Sequence, residues 1–370
     1  MKKSIFVLTG DILAAALLLG GIYTGNYLIP QKGIAAGNMS GQTAAIQTTS
    51  QNHRAANEGI NLKASADGQY REQKLQAIVD KNANGMKTTK VSLDTQDWHK
   101  KFADKFTDQV ISTDTSYTSP NLSIELKEGK YQTNKLDHTA QGKHEKYGTD
   151  ISYVLADIYV GDITCLQTCF AQNTYGVGYS EKLSDMSARM KSVLGVNGDS
   201  YSNSRHKDNG TIIRNGVIYR DQATDMETCV LNWDGTMNIY SPEEVNTQQL
   251  IDSGAYQSWI FGPSLLDANG KAKTSFLTWD YIRESYPRTA IGYYEPGHYC
   301  LLVVDGRQKS TRGMFLDEMA AFFEQLGCKA AYNLDGGHCS FMTLGDQVVN
   351  HPYKPEHEVE DGIFITEGIL

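Results

Sequence analysis

Three short polar turns, each following an apolar run, carry the side chains in this sequence best suited to chemistry. VLGV leads into Asn197-Gly198-Asp199-Ser200-Tyr201, YCLLVV into Asp305-Gly306-Arg307, and CKAAYNL, which contains Asn333, into Asp335-Gly336-Gly337-His338-Cys339-Ser340. Asn-Gly and Asp-Gly pairs are ordinary turn formers, so each turn alone reads as backbone geometry. Three such turns, two with extra polar groups, read either as turn formers alone or as parts of one site. A fourth polar pair, Arg288-Thr289, precedes the apolar segment AIGYY. An arginine there is either a solvated or ion-paired strand end, or a phosphate ligand, since its planar fork suits two parallel hydrogen bonds.

The elements around these turns follow from periodicity. ISYVLADIYV, VLGV, YCLLVV and CKAAYNL read as strands, and TIIRNGVIYR and NWDGTMNIY as hairpins turning at Asn215-Gly216 and Asp234-Gly235. In GMFLDEMAAFFEQLGC, Leu316, Met319, Ala320, Phe323 and Leu326 fall at helical spacing, with Gly327 as C-terminal cap. LSDMSARMKS reads as a second helix. The separation of 30 residues between Asp305 and Asp335 fits a strand, helix, strand crossover. If those strands are parallel, both turns emerge at one sheet edge, where sheets of this kind bind ligands. The expected fold is α+β: a mixed sheet of parallel and antiparallel strands with packed helices in one C-terminal catalytic domain, preceded by a membrane anchor and linker.

His338 has three readings: acid/base group, metal ligand with nearby carboxylates, or hydrogen-bonded surface side chain. His351 and His357 lie among acidic residues in HPYKPEHEVED. No metal and no other cofactor is assigned.

The chain has 370 residues, 40% of them hydrophobic, and a formal net charge of -9 from 34 basic and 43 acidic residues. With no long basic run to offset that charge, nucleic acid is excluded as a partner. Lys2 and Lys3 precede an apolar stretch from Ile5 to Ile29, interrupted by Asp11. Residues 1–30 read as a membrane anchor, positive side in, which places the rest outside the membrane, or as a cleaved export signal that frees it by secretion. Residues 31–68, rich in Gly, Ala, Ser, Thr, Asn and Gln, read as a flexible linker. Residues 69–148 read as a helical extension or small domain, with Trp98, Phe102 and Phe106 recurring every fourth residue, and residues 149–370 as the catalytic domain. The six cysteines are expected as structural disulfides or buried thiols, since their spacing suits neither a redox pair nor a zinc site.

GVNGDSY, FGPSLL, PRTAIG, VVDGR, the GMFLDEMAAFFEQLGC helix and YNLDGGHCSFM occur in this order. Together they resemble the phosphodiester glycosidase family over residues 151–370. The resemblance implies an extracytoplasmic glycosidase that hydrolyses a sugar-1-phosphodiester bond, α-N-acetylglucosamine being the sugar suggested, in an envelope or exopolysaccharide glycoconjugate. Its partners would be a sugar-phosphate or glycopolymer substrate and, through the N-terminal segment, the membrane. It places Asp335 at the anomeric carbon, as nucleophile or as base for water, with Asp199 as partner or sugar-hydroxyl contact. Arg288 and Arg307 would hold the phosphate. Asn197, Thr289 and Asn333 would orient hydroxyls, Gly336 and Gly337 admit a close ligand, and Gly198, Asp305, His338 and Ser340 line the site. The sequence departs from the family pattern NLDGGGSS: His338 replaces a glycine and Cys339 a serine. Two alternatives follow from that departure: a non-catalytic envelope protein that binds a glycopolymer, and a polysaccharide hydrolase or transferase acting on another bond.

Overall fold

A computed structural model describes residues 33–36, 58–135, 150–203 and 209–369 of the chain. Residues 1–30, the expected anchor or signal, lie outside them. Among the described residues no helix is long and apolar enough to cross a membrane.

Two sheets hold the site. The larger has seven strands in the order Ala330–Asn333, Arg288–Glu295, His298–Val304, Ile151–Val160, Leu122–Tyr131, Ser116–Thr118, Ile111–Ser112. The other has five, ordered Gln347–Val348, Met342–Leu344, Leu194–Asn197, Asp361–Ile365, Leu166–Phe170. A third sheet of three strands contains the hairpin that turns at Asp234-Gly235. With five α-helices, Glu58–Ala83 and Leu316–Leu326 the longest, the described structure is mixed α and β with more strand than helix.

The apolar runs are explained by burial on both faces of the larger sheet. Leu301 and Val303 point into the main core, with Leu194, Val196 and Ile363 of the smaller sheet. Cys300, Leu302 and Val304 point the other way, onto Leu316, Met319, Ala320 and Phe323 of the helix. Successive residues of a strand face opposite sides, so a strand covered on both must be apolar throughout.

The expected parallel pairing is corrected. Every ladder among the described residues is antiparallel, and the Arg288–Glu295 strand lies between the two strands expected to run parallel. The cause is local: Pro296-Gly297, with Gly297 at φ 87°, closes a tight hairpin that pairs Arg288 with Val304. Both flanking strands run antiparallel to this one and therefore parallel to each other. Their ends at Val304 and Asn333 still share one edge, where Arg288 also begins.

The N-terminal boundaries move. Ile34–Ala35 pairs with Thr174–Tyr175, and the first long helix begins at Glu58, both inside the stretch read as linker. That helix buries Leu75, Val79 and Ala83 at spacings of four in the main core. Trp98 and Phe102 are buried beside them, although the helix there spans only Trp98–Lys101. Residues 111–131 supply three strands of the larger sheet, so this region is built into the main fold. The six cysteines are free thiols, five buried and Cys339 half-buried.

Candidate active site

Asp335 sits where the two sheets meet, and its backbone is tied to both. Thr289, at the start of a strand in the larger sheet, donates its hydroxyl to Asn197 Oδ1 (2.6 Å), at the end of a strand in the smaller. Asn197 Nδ2 donates to the Asp335 carbonyl (2.6 Å), and the Asp335 N–H donates to the Gly198 carbonyl (3.1 Å). The side chain is left with few partners: the Gly336 N–H at 2.9 Å and the Cys339 thiol. Burial raises the Asp335 carboxyl to about 7, opposed by those two hydrogen bonds and aided by the nearby Asp199 and Asp361 charges. It can therefore exchange a proton near neutral pH.

Behind Asp335 lies a buried acidic cluster organised by one arginine. Arg214 reaches Asp361 through Nε (3.0 Å) and a terminal nitrogen (2.5 Å), Asp199 at 3.3 Å, and the Ser258 carbonyl. Asp199 also accepts the N–H groups of Ile260 (3.0 Å) and Phe261 (3.1 Å). At 2% exposure it anchors the scaffold and has no open face toward a sugar. Gly198 is required here, because a Cβ would lie 2.5 Å from Asp361 Oδ1. Glu360 is half-buried and accepts the Ser202 N–H (2.8 Å) and hydroxyl (2.5 Å). Burial is the largest cause that lifts Glu360 and Asp361 to about 7.

The two arginines differ. Arg288 is 2% exposed and donates to the carbonyls of Met314 (3.1 Å), Ile282 (2.6 Å) and Glu284 (2.5 Å). Burial lowers its pKa to about 10, and these contacts hold the 282–288 loop together. Arg307 is half-buried, its guanidinium 4.8 Å from the Tyr286 ring centroid and 5.3 Å from that of Tyr353, with one N–H on the Tyr353 hydroxyl (2.7 Å). Among the described residues no carboxylate pairs with it. Gly337 lies against its terminal nitrogen at a φ of 69°, which favours glycine: a Cβ there would come within 3.3 Å of it.

The other expected site residues take supporting places. Asp305 is buried and accepts from Ser152 Oγ (3.1 Å), Asn350 Nδ2 (3.1 Å) and the His351 N–H (2.9 Å), fastening the 350–351 turn. Asn333 is buried and donates to the Gly262 carbonyl (2.7 Å). Gly336 passes so near the Pro287 carbonyl that a Cβ would be 2.8 Å from its oxygen. Ser340 lines a narrow cleft with Pro287, Gly337, His338 and Tyr353, and its buried hydroxyl has no protein partner. His338 shares a hydrogen bond with the Pro355 carbonyl (3.0 Å) and stacks on His357, ring centroids 4.7 Å apart. No group of three or more metal-binding side chains occurs among the described residues.

Arg214, Glu360, Asp361, Tyr286 and Tyr353 also surround Asp335 and Arg307, and none of the polar-turn motifs points to them. One signal existed: two acidic residues open the apolar strand at EDGIFI, where a buried edge ordinarily excludes them.

Residues 190–366 match the family model for phosphodiester glycosidases. A curated relative, the SPbeta prophage-derived uncharacterized protein YomE of Bacillus subtilis strain 168, is 31% identical over 193 residues, covering 51% of this chain and 29% of that protein. The chain thus spans less than a third of that relative. Among solved structures, the zebrafish N-acetylglucosamine-1-phosphodiester alpha-N-acetylglucosaminidase catalytic domain, auto-inhibited by its pro-peptide, superposes with a TM-score of 0.52 at 19% identity, covering 70% of this chain and 87% of that one. That likeness is one of fold. Residues 190–366 thus carry a domain similar to those of the phosphodiester glycosidase family.

Proposed function

We propose that the protein is a hydrolase that cleaves the bond between a sugar's anomeric carbon and a phosphodiester, in an extracytoplasmic glycoconjugate. The observation that carries the proposal is what the Gly336-Gly337 turn holds: a weakly bonded Asp335 carboxyl that accepts from the Gly336 N–H, and, against Gly337, the Arg307 guanidinium, which has no carboxylate partner among the described residues. Glycosyl transfer passes through an oxocarbenium-like state that a carboxylate stabilises or attacks, which is the role given to Asp335. The departing phosphate carries its own negative charge, and two stacked tyrosines leave the Arg307 fork a fixed orientation from which to receive it. Arg288, Asp199, Asn197 and Thr289 position these groups through the hydrogen bonds already described. α-N-acetylglucosamine is the first sugar to test, because the zebrafish enzyme's name specifies it. The extracytoplasmic setting rests on Lys2 and Lys3 ahead of an apolar segment.

The test is to incubate the full chain with a methyl phosphodiester of N-acetylglucosamine 1-phosphate and measure reducing sugar. The wild type is expected to release it. Asp335→Asn is expected to lower the rate by roughly 10³-fold or more, the scale of losing a nucleophile or electrostatic stabiliser. Full activity in that variant removes Asp335 from its role, and an inactive wild type across several sugars removes the proposal.

A further inference from the structure

We infer that Glu360 is the second catalytic carboxyl of this site, the base that takes a proton from the water attacking the anomeric carbon. This assignment rests on the proposed hydrolysis and supplies its water-activating step. It follows from what each of the four gathered carboxyls is free to do. Asp199 and Asp361 are 2% and 1% exposed and bound to Arg214, so neither reaches a substrate. Asp335 is assigned to the sugar. Glu360 alone remains, only half-buried and without a cationic partner among the described residues.

Its surroundings suit a base. The Ser202 N–H and hydroxyl fix the direction of the carboxyl, yet two donors leave further lone pairs for a water. Among the described residues the titratable groups facing it are Tyr201, Asp199, Asp335, Cys339 and Asp361, none of them a cation. Burial, then the Asp335 and Asp199 charges, raise the Glu360 carboxyl to about 7 against the lowering effect of Ser202. A base in that range is ionised enough to act and basic enough to accept a proton at neutral pH. Glu360 directly precedes the strand Asp361–Ile365 and Arg307 follows the strand His298–Val304, so base and phosphate ligand come from different elements.

In the step, a water O–H bond breaks and its proton passes to Glu360. The water oxygen bonds to the anomeric carbon as the bond from that carbon to the phosphate oxygen breaks. The electron pair leaves with the phosphomonoester, toward Arg307. Products are the free sugar, the phosphomonoester and a protonated Glu360, which returns its proton to solvent.

The experiment uses the full chain and the methyl phosphodiester. In Glu360→Gln, kcat/KM at pH 7 is expected to fall by roughly 10²–10⁴-fold. The rise in rate with pH near 7 is expected to flatten, and added azide, which attacks without a base, to restore turnover and yield glycosyl azide. Glu360→Asp, a shortened carboxylate, is expected to retain the pH-dependent rise at a reduced rate, which guards against misreading a folding defect. A wild-type rate and pH profile in Glu360→Gln, or a loss that azide does not relieve in a folded variant, overturns the assignment while leaving the hydrolysis standing. A wild type that cleaves nothing overturns the hydrolysis, and this assignment with it.

Discussion

Replacing Asp335 by asparagine is expected to stabilise the protein above neutral pH while abolishing activity, because one feature causes both. Its carboxyl rises from an ordinary 3.8 in the unfolded chain to about 7 in the fold. Between those values the native state binds more protons than the unfolded state, so stability falls as pH rises through the window, and the loss is complete above the folded value. The shift corresponds to at most about 4 kcal/mol. The realised gain is smaller, because an amide accepts less well from the Gly336 N–H and the Cys339 thiol and must place its own NH₂ group; about 1–2 kcal/mol at pH 8.5 is expected. At pH 5.0 Asp335 is already protonated in the native state, and the gain should shrink to nothing or reverse. Urea unfolding of wild type and variant at both pH values reads the difference directly, since Glu360 and Asp361, also raised, are common to both proteins. An equal ΔΔG at the two pH values, or a variant less stable at pH 8.5 than at pH 5.0 relative to wild type, would refute the claim that Asp335 is a buried, reluctant anion.

Arg307→Ala should lower kcat/KM by about 2–4 kcal/mol in activation free energy if the guanidinium meets the leaving phosphate, with melting temperature little changed; steady-state kinetics with thermal melts checks this. Arg214→Met should cost about 3–5 kcal/mol of stability at pH 8, since it leaves Asp199 and Asp361 buried without their cation, and less at pH 5, where protonation relieves them. Gly198→Ala should destabilise by about 1–3 kcal/mol through the clash with Asp361, measured by urea unfolding.

The place of Asp335 just past the end of an apolar strand was legible in the sequence, because the apolar run and the Asp-Gly-Gly turn that stops it are both local. The strands, both hairpin turns and the helix capped by Gly327 were legible for the same reason: period and punctuation lie within a dozen residues. The strand order was not, since the two-residue Pro296-Gly297 turn inserts the Arg288–Glu295 strand between the two strands that the Leu316–Leu326 helix connects. The roles of the arginines were hidden for a different reason. Arg288 and Arg307 look alike in sequence, but one turns into three carbonyls and the other lies between two tyrosines, a choice made by the 282–288 loop and by Tyr353, which is 46 residues from Arg307. Arg214 and Asp361 are 147 residues apart, and only folding brings them into a pair.

The central claim is that the bond from the anomeric carbon to oxygen breaks, with Asp335 at that carbon. It is tested most directly by running the reaction of the full chain on the methyl phosphodiester of N-acetylglucosamine 1-phosphate in ¹⁸O-labelled water and weighing both products. The label is expected on the anomeric hydroxyl of the free sugar and none in the phosphomonoester. Label in the phosphate, or sugar 1-phosphate as the product, would contradict it.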